Sequence, residues 1–259
     1  MTHDRSNPTR AERLSGGSGV GDRQRSQIAP ITDEPDQNLF DALFDAAVSR
    51  QPQALRDKAR TVLATGVTPK VLADVYAPAL ARKMGDMWCA DTMGFAEVTI
   101  GVARLQALLR DLGPEWQSDL LGDTGAPLIL LVTLRDAQHT LGAILLTGQL
   151  RRAGFAVRLA LDATSAHLSD LVGRLRFDAV FVSASQSESL DKIRRMVDLL
   201  REMSPEVPRI AVGGGILDVN EDVARVVGAD IATSNIDEAI RFCGLNTKKI
   251  NTATSATET

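Results

Sequence analysis

Three groups of residues in this 259-residue chain combine side-chain type and spacing in a way that could do chemistry. The first is Asp136-Ala137-Gln138-His139-Thr140-Leu141-Gly142, a His-x-x-Gly spacing that brings an imidazole to the start of a helical pattern. The second is Ser183-Ala184-Ser185-Gln186-Ser187, hydroxyl residues that close an apolar run. The third is Gly213-Gly214-Gly215, where missing side chains let a flat or bulky ligand approach the backbone. Imidazole is the versatile member, able to hold a metal or carry a proton. Only His3, His139 and His167 can supply one. The two cysteines, Cys89 and Cys243, lack a CxxC spacing, so a zinc or iron–sulfur site has too few ligands. The sequence contains no Ser-His-Asp grouping, P-loop or metal-ligand cluster, and the expectation is a protein that is not an enzyme.

These groups need a scaffold, and the composition describes a soluble globular one. Hydrophobic residues make up 44% and charged residues 24%, with a net charge of -4 that argues against a nucleic-acid groove over the whole surface. The longest apolar runs are too short for a bilayer and the N-terminus lacks a signal-peptide core, so the expected location is the cytoplasm, with no membrane contact. Residues 1–35 are rich in Ser, Gly, Arg, Asp and Pro and read as a disordered arm. Residues 36–120 carry helical periodicity, with Leu39, Phe40, Leu43, Phe44, Ala47 and Val48 first, and read as a bundle of about four helices. Thr68-Pro69 has the form of a helix start, and Phe95 to Leu112 that of the last helix.

From residue 125 to 245 the period changes. Apolar runs at 128–132, 156–161, 179–183, 209–212 and 230–233 alternate with helical patterns at 141–153, 166–175, 188–202, 219–227 and 235–243. Five such alternations predict an α/β fold, a flavodoxin-like (Rossmann-like) five-stranded parallel sheet behind the helical bundle. Residues 246–259 read as a flexible tail. In such a sheet the ligand site lies beyond the carboxyl ends of the strands, between the first and third. All three groups fall at strand ends there.

Together they resemble the cobalamin-binding domain of methionine synthase and the corrinoid proteins, which carries Asp-x-His-x-x-Gly, Ser-x-Leu and Gly-Gly after strands one, three and four. His139 and Gly142, Ser183, and Gly213-Gly214 match; Ala137 stands at the family's aspartate and Ser185 at its leucine. The resemblance implies cobalamin as cofactor, His139 as cobalt ligand, and a slot for the cofactor's nucleotide tail lined by Gly142, Ser183, Ser185, Gly213 and Gly214. Met87-Trp88 and Ala96-Glu97-Val98-Thr99 resemble the segment with which vitamin-sensing regulators cover the upper corrin face, implying a covering role for Trp88, with Thr99 at the position of a second histidine. Bundle, domain and arm together look most like the AerR/PpaA group of regulators in photosynthetic proteobacteria. That resemblance implies an antirepressor of photosynthesis genes, a photoreceptor or redox sensor, acting on a redox-responsive transcriptional repressor, with DNA contact direct or through that partner.

Each residue also has a plainer reading. His139 could cap the first crossover helix, Trp88 could belong to a core, Ser183 could bond a neighbouring carbonyl, and the glycines could form a tight turn. His167 reads as a surface residue near a helix start. Haem held by His139 is the alternative cofactor, and a methyl-carrying corrinoid protein the alternative function; the loss of the aspartate at Ala137 weakens the latter.

Overall fold

The helical half begins where Asp36 accepts a hydrogen bond from the Leu39 amide at 2.9 Å and caps helix α1, Gln37–Val48. Its apolar spacing buries Phe40, Leu43, Phe44 and Ala47, and α2, Ala54–Ala64, adds Leu55, Ala59 and Val62. Thr68 caps the next helix and Pro69 takes its first position, as the sequence predicts. That helix runs as α3, Pro69–Val71, a π turn, Leu72–Tyr76, and α4, Ala77–Cys89. The π turn has a cause in Pro78, which has no N–H to give the Asp74 carbonyl; the Ala77 amide instead reaches back to Leu72. Helix α5, Phe95–Leu112, starts where the Gly94 amide donates to the Glu97 carboxylate at 2.8 Å. It ends at Gly113-Pro114.

This is a computed structural model; it describes residues 35–116, 125–135, 137, 139–203, 208–220 and 222–246. The expected disordered arm with His3, Asp136, and the tail beyond residue 246 lie outside them.

The sheet has five parallel strands: β1, Leu128–Thr133; β2, Ala156–Ala160; β3, Ala179–Ser183; β4, Arg209–Gly213; and β5, Ile231–Ala232. Their order is β2-β1-β3-β4-β5. Helices α6, Leu141–Arg152; α7, Ser165–Arg174; α8, Leu190–Met203; α9, Val223–Val227; and α10, Ile236–Phe242, complete the crossovers. Strand alternation divides the apolar residues: Ile129 and Leu131 face the bundle side, Leu130 and Val132 the side of α7, α8 and α9. The helix expected at 219–227 is shorter, a 3₁₀ turn at Gly215–Asp218 followed by α9. Gly228, at φ 73°, ends it in the left-handed conformation.

Helical and sheet halves share one apolar cluster, which runs from Phe40 through Leu109 and Trp116 into Ile129, Leu131 and Ala211. Trp116 is buried against Gly148 of α6, where a methyl group would collide with the indole ring. The Arg152 guanidinium stacks on that ring at 4.9 Å and meets Asp74 of the π turn at 2.6 Å. Arg151 donates to the carbonyls of Glu115 and Val157, each at 2.9 Å, and burial pushes its pKa down to about 10. It remains charged at neutral pH. Among the described residues no helix is long and apolar enough to cross a membrane.

Candidate cofactor site

The strand register sets the site. Thr133 of β1 lies opposite Ser183 of β3, which in turn lies opposite Gly213 of β4. The three sequence groups therefore leave the sheet side by side at its carboxyl edge. A cavity of about 240 Å³ opens there, bounded by Gly142 and Leu146 of α6, Ser183, Gly213 and Gly214. Its far side is Thr233 to Ile236, the connection from β5 to α10, which sequence reading missed. The signal was available in Asn235, whose side chain caps α10 by accepting from the amides of Asp237 and Glu238 at 2.9 and 3.1 Å.

The glycines at this cavity do different things. A Cβ on Gly213 would sit 2.8 Å from the Thr233 carbonyl oxygen. Gly214 has φ 101°, and a Cβ there would press into the Ala184 carbonyl. These two are needed so that strand ends can close together. Gly142 differs: a Cβ there would meet nothing within 4 Å, although the residue borders the cavity. Its missing side chain keeps space open that the protein does not fill.

His139 is exposed in the connection between β1 and α6. It is not the helix cap, because Thr140 enters α6, and does so with helical backbone angles and no side-chain capping bond. The Thr140 hydroxyl accepts instead from Gln106 Nε2 of α5 at 3.0 Å, tying the His139 connection to the bundle. No residue pattern in the sequence marks Gln106. Ala137 is half-buried. His167 lies exposed in the first turn of α7, its amide donating to the Thr164 cap at 3.2 Å, in keeping with a surface role.

Ser183 borders the cavity; Ser185 does not. The Ser185 hydroxyl is 3.0 Å from that of Ser187 and 3.2 Å from Glu188 Oε1. Glu188, another residue sequence reading passed over, is half-buried, and burial pushes its carboxyl pKa up. Ser185, the charge of His139 and Lys192 pull it the other way.

Trp88 also lies away from the cavity lining, on the last turn of α4. It is 45% exposed, with Phe95 at 67% and Ile100 at 51%, and its ring centroid is 6.3 Å from that of Phe95. Thr99 of α5 is exposed, its hydroxyl donating to the Phe95 carbonyl at 2.8 Å. The core reading of Trp88 does not hold; it contributes to an exposed apolar end of the bundle.

The residues present suit a cofactor with a tail. The cavity offers glycine-cleared space, the hydroxyl residues Ser183, Thr233 and Ser234 and apolar walls, while an exposed imidazole precedes the helix that forms its rim. Among the described residues no group of three or more His, Cys, Asp or Glu could hold a bare metal ion.

Comparison with known proteins agrees with this geometry. The B12 binding domain family model matches residues 127–241. An uncharacterised 20.5 kDa protein of Rhodobacter capsulatus, from the bchF-crtJ intergenic region, is 32% identical over 177 residues, covering 68% of this chain and 92% of that one. The structure of the Methanosarcina barkeri monomethylamine corrinoid protein is similar in fold, with a TM-score of 0.63 and 19% identity over 80% of this chain and 97% of that chain.

Proposed function

The chain belongs to the B12-binding domain family, and from that premise we propose that it is a cobalamin-binding transcriptional regulator of the AerR/PpaA type, an antirepressor acting through a repressor protein. The observation that carries the cofactor reading is the slot formed by Gly142, Ser183, Gly213 and Gly214, built from three separated sequence motifs. Haem has no nucleotide tail to occupy such a slot. The regulatory reading draws on the Rhodobacter relative, which lies in the bchF-crtJ intergenic region.

Cobalamin, when bound, would supply a cobalt centre able to exchange a ligand. His139 would hold that centre through its imidazole. Gly142 leaves room beside α6, and Ser183 gives the tail one hydroxyl partner. Gly213 and Gly214 let the ends of β3, β4 and β5 approach closely enough to form the slot walls. Thr99, a hydroxyl that donates to the Phe95 carbonyl, would not supply a second imidazole. The exposed pair Trp88 and Phe95 would be the surface through which the loaded state reaches a protein partner.

The test combines spectra with repressor binding. Protein mixed with hydroxocobalamin, recorded in darkness and after illumination, is expected to give an imidazole-ligated corrinoid spectrum that His139→Ala abolishes. Addition of the loaded protein to a complex of repressor and promoter DNA is expected to release the DNA. A Soret band in the purified protein would replace cobalamin with haem. Methyl transfer to a thiol acceptor after reductive activation, with no effect on repressor binding, would make the protein a methyl carrier.

A further inference from the structure

We propose that Glu188 is the positioning residue for His139, the carboxylate absent at position 137 being supplied across the sheet from the connection between β3 and α8. The inference rests on His139 as the cobalt ligand, and its grounds lie in the packing of two neighbouring loops. Because Thr133 and Ser183 are register partners, the connection carrying His139 and the one carrying Glu188 leave adjacent strands at the same edge. Glu188 is folded back over its own loop: its amide donates to the Ser185 carbonyl at 3.1 Å, and the Ser185 hydroxyl meets Oε1 at 3.2 Å.

The second oxygen is the informative one. Glu188 Oε2 is buried and, among the described residues, has no hydrogen-bond partner. A buried carboxylate oxygen with no donor is costly, and native structures rarely leave one without a use. Two cationic or ionisable groups act on this carboxylate: Lys192, exposed and one helical turn along α8, and His139, from the other loop. Only His139 belongs to the proposed cofactor site. An imidazole that gives one ring nitrogen to a metal leaves an N–H on the other, and that N–H needs an acceptor to fix the ring's tautomer and orientation. Ala137 offers no acceptor. Glu188 has one unused, on a side chain already anchored at its other oxygen by Ser185. Ser185 then holds the carboxylate rather than the cofactor's tail, which accounts for its position outside the cavity.

Hydroxocobalamin titrations of wild type, Glu188→Gln, Glu188→Ala, His139→Ala and the double variant Glu188→Ala with Ala137→Asp test this. The readouts are affinity, the absorption spectrum, and, with the protein's nitrogen isotopically labelled to distinguish it from the cofactor's own base, the protein-nitrogen splitting in the electron-spin signal of the Co(II) form. Loss of an outer partner of a ligating histidine weakens metal binding by about 10- to 100-fold. Glu188→Gln and Glu188→Ala are expected to fall in that range and to populate a spectrum without protein imidazole, while the unloaded proteins melt at or above the wild-type midpoint. Ala137→Asp is expected to restore much of the lost affinity, a rescue that a purely structural role for Glu188 would not allow. If His139→Ala loses the nitrogen splitting while both Glu188 variants keep wild-type affinity and spectrum, the inference is overturned and the ligand assignment stands. If His139→Ala itself keeps the wild-type signal, the ligand assignment falls and takes this inference with it.

Discussion

Substitution of Gly142 separates the folding role of a site glycine from its binding role, because the two effects have opposite signs. Gly142 is exposed, its φ is not positive, and it occupies the first turn of α6. Glycine within a helix is about 0.5–1 kcal/mol less favourable than alanine, and leucine is nearly as good a helix former as alanine. Since a Cβ there meets nothing within 4 Å, no steric penalty offsets the gain. For a folded unit of this size, 1 kcal/mol moves the melting midpoint by about 2–4 °C. Gly142→Ala and Gly142→Leu should therefore melt about 1–4 °C above wild type without cofactor. With cofactor the order reverses. A leucine side chain at the rim projects into the cavity of about 240 Å³, and forcing extra methylenes into a filled site costs about 1–3 kcal/mol. That corresponds to about 5- to 150-fold weaker binding of hydroxocobalamin for Gly142→Leu, with a smaller loss for Gly142→Ala. Circular dichroism melts of the unloaded proteins and absorption titrations measure the two quantities on the same samples. Wild-type affinity in Gly142→Leu would refute the assignment of the slot to the cofactor, and a fall in both stability and affinity would mean that the glycine serves the fold.

Gly214→Ala should behave in the contrary way, losing about 1–3 kcal/mol of stability in urea titrations, because the backbone is left-handed and a methyl group meets the Ala184 carbonyl. Asp74→Ala leaves the Arg152 guanidinium without its carboxylate in a part-buried setting; a loss of about 1–3 kcal/mol is expected by the same measurement, less than for a fully buried pair because the side chains are 22% and 17% exposed. Alkylation followed by mass spectrometry should modify exposed Cys89 first. Cys243 is half-buried with its thiol pKa pushed up by burial, so its thiolate is scarce at neutral pH and its rate should keep rising as pH passes the usual thiol range.

The sequence was most legible where one period or one residue governs the outcome. Continuous apolar runs gave all five strands to within a few residues, and the order of motifs on strand ends placed Gly142, Ser183, Gly213 and Gly214 at one cavity. Thr68-Pro69 marked a helix start because each residue alone has a local reason to sit there. What was illegible depends on tertiary placement. Glu188 carries no motif, and its relation to His139 exists only because β1 and β3 are neighbours. Gln106 reaches Thr140 across 34 positions of sequence, a distance at which no pattern speaks. Trp88 looked like a covering or core residue by type, yet exposure is decided by what packs on α4, and among the described residues Phe95 offers its ring.

The join between bundle and sheet limits how a signal could leave the cofactor site. Moving the bundle as a body would uncover the Trp116–Gly148 contact, break the Arg152–Asp74 pair and expose side chains of the shared core. Each large apolar side chain returned to water opposes that motion by about 1.5–3 kcal/mol, and several must move together. Breaking the 3.0 Å bond from Gln106 to Thr140 involves about 0.5–1.5 kcal/mol and no apolar exposure. A ligand change at the His139 connection can therefore reach α5 through that bond far more easily than it can lift the helices away. The start of α5 carries Phe95 beside Trp88, apolar surface that is already exposed. With Leu105 and Leu109 of α5 buried in the shared core, α5 holds its place, and the Gln106–Thr140 bond is the direct polar link between the His139 connection and the helix that begins at exposed Phe95.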